Sequence, residues 1–124
     1  MRDRLRGVPL FADLTDEQLD KLATGTSEFD APSGQLLIER GKPGSGLFVL
    51  ESGEAVVDAP EGSRDLGPGD IFGERALVGA DVQRTARVRA RSDVHCLAIA
   101  RTAIDQLTAE NERFAERLRE HLRE

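Results

Sequence analysis

One cysteine, two histidines and two lysines among 124 residues leave several kinds of chemistry short of material. A lone Cys96 cannot build a disulfide framework and suits a reducing compartment. His95 and His121 lack the His-x-His spacing of metal-holding barrels, and neither a Ser-His-Asp nor a Cys-His arrangement is visible. No enzyme and no metal are expected. No apolar run approaches the ~18 residues of a membrane span. The N-terminus MRDRLRGVPLF has no signal-peptide apolar core, so a cytoplasmic protein is expected. A net charge of −6 argues against a direct nucleic-acid partner, which basic patches would capture. Lys21 and Lys42 are the lysines in a basic set otherwise made of arginine, the usage of a GC-rich bacterial genome.

What is present is globular: 39% hydrophobic and 32% charged residues, at a length suited to one domain. Thr15-Asp16-Glu17-Gln18 reads as a capping box, with Leu14 and Leu19 as a hydrophobic staple, and the helix it opens ends near Gly25. Before it, RDRLR reads as a short basic turn. From Ser27 to Arg91 glycines recur between short apolar runs, which predicts many short strands in a sandwich or jelly-roll barrel. The strands fall near Ser27–Asp30, Gln35–Arg40, Leu47–Ser52, Glu54–Ala59, Ser63–Leu66, Arg84–Arg91 and Asp93–Ala100. Cys96 alternates in phase with Val94 and Ala98 and reads as core. Thr102 to Glu124 is predicted as one helix, capped by Thr102 with Asp105 and striped by Ile104, Leu107, Phe114, Leu118 and Leu122. The organisation is therefore a helical segment over 1–25, a β barrel over 26–100 and a C-terminal helix over 101–124.

The stretch DIFGERALVGADVQRTA, residues 70–86, carries the chemistry. Gly73 and Glu74 open a short helical run, Glu74–Val78, and a helix start offers free N–H groups to an anion. Arg84 adds a planar fork of donors matched to phosphate oxygens. Glu74 would repel a bare anion, but an ionised carboxylate accepts from a hydroxyl. Phosphate and hydroxyl on one small ligand describe a sugar phosphate or a nucleotide.

FGERALVGADVQRTA resembles the phosphate-binding cassette of cyclic nucleotide-binding domains, FGE-x-AL followed by a short loop and R-[ST/A]-A. The likeness extends to VPLFADLTDEQL, GKPGSGLFVLESGEAVV and LGPGDIFGE. It implies a mainly β fold with flanking helices: an eight-stranded jelly-roll barrel (double-stranded β-helix) with an N-terminal helix, a short cassette helix and a C-terminal lid helix. It also implies that Glu74 accepts from the ribose 2′-hydroxyl and Arg84 pairs with the cyclic phosphate. Backbone around Gly73, Glu74 and Ala76 completes the cradle, with Phe72, Arg75, Thr85 and Ala86 also at the site. Thr85 touches phosphate or purine, while Arg75 replaces a common aliphatic residue. Gln83 departs from the usual proline before the arginine. The ligand implied is cAMP first and cGMP second, with no further cofactor.

The second half of the last helix is dense in charge and has few apolar anchors, so packing must hold it. Folding over a base would supply that surface, with Leu118 the residue expected to meet it and Arg117 and His121 on adjacent faces. The same stripe could pair instead with a second chain as a homodimer. Competing roles are an interaction or dimerisation domain without a ligand, and the sensor of a transcription factor. Nothing after Leu107 resembles a helix-turn-helix, and the output partner is an unidentified effector.

Overall fold

The structure, a computed structural model, describes residues 1–38, 46–60, 62–73 and 87–122, with backbone alone for Ile38, Ala59, His121 and Leu122. The expected cassette helix and most of the 70–86 stretch lie outside these residues.

Two short helices and a turn open the chain: α1 (Arg2–Arg6), a 3₁₀ turn (Pro9–Phe11) and α2 (Asp16–Thr24). The stretch read as a basic turn is therefore helical, because Leu5 is fully buried and needs its neighbours turned outward. The capping box at α2 is formed as expected: Gln18 N donates to Thr15 Oγ1 and Thr15 N to Gln18 Oε1, both at 3.1 Å. Gly25 ends α2, and a Cβ there would lie 2.7 Å from Ala103 Cβ. Only glycine allows the chain to pass that close.

Eight strands follow among the described residues: β1 (Thr26–Ala31), β2 (Leu36–Ile38), β3 (Leu47–Ser52), β4 (Ala55–Ala59), β5 (Gly62–Leu66), β6 (Ile71–Phe72), β7 (Arg87–Ala90) and β8 (Val94–Ile99). They form two antiparallel four-stranded sheets, β1-β8-β3-β6 and β2-β7-β4-β5. This is the jelly-roll architecture expected, with strand order crossing between sheets. β6 has two residues, too short for an alternating pattern to betray it in sequence.

The first sheet is the middle layer of three. Its alternation sends Phe72, Leu50, Val94 and Cys96 into a core shared with Ala55, Leu66, Val88 and Ala90 of the second sheet. The opposite face sends Leu47, Val49, Ile71, Leu97 and Ile99 into a second core, shared with Leu5, Phe11, Leu19 and Leu22. Strand period two thus sorts one sheet between two cores.

The C-terminal segment differs from the single helix expected. It is two helices, α3 (Arg101–Glu110) and α4 (Glu112–Leu122), parted at Asn111 with φ −135° and ψ 99°. Asn111 Oδ1 accepts from Phe114 N at 3.0 Å and so caps α4. Its amide Nδ2 lies 3.3 Å from Gln18 Oε1 and ties the break to α2. Thr102 does not cap α3: the N-cap is Ala100, which places Thr102 two residues past the cap, inside the first turn. Glu110 of α3 pairs with Lys21 of α2 at 3.4 Å.

Candidate functional site

The approach to the 70–86 stretch is built by a tight turn. Gly67 N donates to Asp70 Oδ2 at 2.8 Å and Asp70 N to Gly67 O at 3.1 Å. Gly69 N donates to Leu50 O at 2.8 Å and Leu50 N to Asp70 O at 2.9 Å, which docks the turn on β3. β6 then pairs with β3, Ile71 opposite Val49 and Phe72 opposite Phe48. Ile71 faces the helical core and Phe72 the sandwich core.

Phe72 stacks on Phe48 with ring centroids 5.2 Å apart and planes at 16°. Phe48 meets Phe29 edge to face at 6.0 Å and 88°. These three rings form a row on the inner face of the first sheet, in arrangements that aromatic quadrupoles favour. Phe72 is buried while Phe29 and Phe48 keep part of their surface exposed. Gly73 follows with φ +80°, a backbone conformation that costs a side chain dearly.

The far end of the stretch is held by β7. Val88 and Ala90 point into the sandwich core, and Arg87, Arg89 and Arg91 point outward, as their alternation predicts. Arg89 Nη1 donates to Gly34 O at 2.6 Å and Arg91 Nη1 to Asp65 Oδ1 at 2.7 Å. Residues 74–86 therefore run from the edge strand of one sheet to an interior strand of the other. Both anchors are strands paired within a sheet.

Of the expected site residues, Phe72 and Gly73 sit together at the entry to this connection. Glu74, Arg75, Ala76, Arg84, Thr85 and Ala86 lie outside the described residues. Leu118, expected to meet the base once the last helix folds over a bound ligand, packs in this structure against the N-terminal segment. It is buried in the helical core with Phe114, Phe11, Leu10 and Val8, on the other side of the first sheet from Phe72. The cause is the break at Asn111, which turns the Phe114–Leu118 stripe onto the 3₁₀ turn. Phe11 and Phe114 stack at 6.0 Å, and Arg117 donates from Nη1 to Asp13 Oδ2 and from Nη2 to Pro9 O, each at 2.8 Å. A cleft of about 330 Å³ separates Arg117 and Glu120 from Gly69, Asp70 and Ile71, so α4 stands one gap away from the strand leading into the stretch.

Other titratable groups are accounted for locally. Burial pushes the Cys96 thiol up to about 11, so it stays protonated and unreactive. His95 is surrounded by Asp30, Glu28 and Glu51. Alternation alone puts Glu28 and Asp30 on one face of β1, but their meeting with β8 depends on sheet pairing. Among the described residues, Glu28, Glu51 and His95 are the one cluster with metal-ligand chemistry. Arg4 donates to both glutamates, so the chain's own cation already fills it.

The sequence profile of the Cyclic nucleotide-binding domain matches residues 28–111. The chain belongs to the cyclic nucleotide-binding domain family. An NTE family protein of Mycobacterium tuberculosis is 38% identical over 111 residues, covering 87% of this chain and 19% of that protein. A cAMP-dependent protein kinase regulatory subunit of Colletotrichum orbiculare is 35% identical over 108 residues, covering 85% of this chain and 27% of that protein. A candidate cyclic nucleotide-binding protein of known structure from Geobacter metallireducens superposes with a TM-score of 0.83 at 26% identity. That alignment covers 98% of this chain and 91% of the Geobacter chain. The chain thus spans between 19% and 27% of the length of these two curated relatives.

The matched region of this cyclic nucleotide-binding domain starts inside β1 and ends at Asn111, where α3 gives way to α4. It contains both sheets, the whole connection 74–86 and α3. The helices α1, α2 and α4, which share the helical core, flank it on both sides.

Proposed function

We propose that this domain binds a cyclic mononucleotide, cAMP first and cGMP second, in the connection between β6 and β7. Membership of the family, carried by the match over residues 28–111, is the observation that supports this reading. The anchors agree with it: Gly73 supplies a positive φ where the chain must offer backbone N–H groups, and Phe72 fixes its start in the core. In this reading Arg84 neutralises the cyclic phosphate and Glu74 accepts from the ribose hydroxyl. Arg75, Ala76, Thr85 and Ala86 line the same connection. The ligand is sensed and not transformed, so the domain regulates and does not catalyse.

Output passes through α4 to an effector protein, or to a second copy of the chain. Leu118 meets the base only if α4 leaves Phe11 and swings about Asn111. The relatives are several times longer than this chain, which favours service as the regulatory part of a larger cytoplasmic assembly. Its acidic charge of −6 favours a protein rather than a nucleic acid as that partner.

Scanning calorimetry tests the reading. A ligand that binds the folded state at a hundred times its Kd stabilises by about 2.7 kcal/mol. The unfolding midpoint should rise with cAMP and cGMP and stay fixed with 5′-AMP, whose phosphate is not cyclic. No shift with either cyclic nucleotide at millimolar concentration would contradict it.

A further inference from the structure

His95 of β8 has both ring nitrogens against carboxylates. Nδ1 lies 2.6 Å from Asp30 Oδ1, and Nε2 lies 2.8 Å from Glu28 Oε1 and 3.4 Å from Glu51 Oε1. Ionised carboxylates only accept hydrogen bonds, and a neutral imidazole has one N–H. Both contacts are satisfied at once only by the imidazolium. The same Glu28 Oε1 accepts from Arg4 Nη2 at 2.5 Å. Arg4 also forks onto Glu51, with Nε 2.9 Å from Oε2 and Nη2 bonded to Oε1. Arg4 Nη2 and His95 Nε2 are 3.5 Å apart. Two cations on different elements therefore draw on one carboxylate pair.

We propose that the guanidinium of Arg4 and the proton on His95 compete for Glu28 and Glu51, so that α1 is held on the first sheet more tightly when His95 is neutral. The groups facing His95 are Arg4 from α1, Glu28 and Asp30 from β1, and Glu51 from β3. Asp93, just before β8, borders the same cleft and is engaged by Ser33 N at 3.0 Å. Like charges this close repel, and coupling between two binding events is reciprocal. If Arg4 makes the proton harder to hold, the proton makes Arg4 harder to hold. Hydrogen bonds to Asp30 and then Glu28 raise the His95 pKa above its ordinary value. Arg2 and Arg6 bind α1 to α2 through Asp20 and Asp16, which leaves Arg4 as the arginine of α1 that grips the sheet. Leu5, Phe11, Phe114 and Leu118 share one core, so a looser α1 is felt by the layer that carries α4. This inference stands apart from the nucleotide reading and does not require a ligand.

Proton NMR of the free chain tests it, because there are two histidines and His121→Gln assigns the other. The His95 titration midpoint should rise by roughly half a pH unit in Arg4→Met, the size expected for a partly exposed charge pair. In the wild type the exchange protection of the Leu5 and Val8 amides, corrected for intrinsic rates, should grow about threefold as pH passes that midpoint. His95→Gln should show no such step. An unchanged or lowered midpoint in Arg4→Met overturns the competition. Protection that is flat or falling across the wild-type midpoint overturns the link to α1.

Discussion

Adenine and guanine both stack well, so discrimination between them falls to single hydrogen-bonding side chains. In the proposed site Thr85 is the candidate for this, since its hydroxyl both donates and accepts. If it accepts from the guanine amino group, Thr85→Ala should lower cGMP affinity more than cAMP affinity, by about 1 kcal/mol in a competition titration. Equal losses for both nucleotides would show that Thr85 touches only phosphate. The candidate binding residues were legible because they sit in a contiguous motif whose types state their chemistry. His95 was not. Its partners come from strands 44 to 67 positions away in the chain, counting Glu51 and Glu28, and single-sequence pattern does not encode that register.

At the scale of elements, α4 is where sequence and structure part most. The periodic stripe from Ile104 to Leu118 is continuous, yet the backbone breaks at Asn111. Both readings bury the same residues, and asparagine fits a polar helix position as well as it fits a cap. What decides is tertiary: the break lets Phe114 stack on Phe11 and gives Arg117 two acceptors near the 3₁₀ turn. The capping box of α2, by contrast, is local and could be read directly. If α4 is the output element, nucleotide should change amide exchange over Arg113–Leu122, because moving Leu118 to the base requires those contacts to open. Equal protection with and without saturating cAMP would make α4 a fixed strut.

At the scale of the whole molecule, a surface charge network joins α1 to the first sheet, and its pH dependence has a definite sign. Arg4 and then His95 hold Glu28 down to about 2. A depressed carboxylate stabilises above its unfolded value, and that contribution is lost as pH falls toward 2. The raised His95 stabilises below its unfolded value near 6.5, and that contribution is lost as pH rises through the folded value. Urea midpoints should therefore be highest around pH 5 to 6.5 and decline on both sides. His95→Gln should remove the alkaline decline. A wild-type midpoint that climbs from pH 6.5 to 8.5 would refute this assignment.

The three layers of the fold place one connection, 74–86, between an edge strand and an interior strand, and the central claim is that a cyclic nucleotide binds there. Titration calorimetry of the wild type and Arg84→Leu tests it most directly. The wild type should bind cAMP or cGMP well below millimolar. Arg84→Leu should lose ~3 kcal/mol or more, about a hundredfold, because a buried phosphate is left without its charge partner. Glu74→Gln, which keeps shape and one acceptor, should lose less. Wild-type binding no tighter than millimolar, with both variants unchanged, would contradict the account.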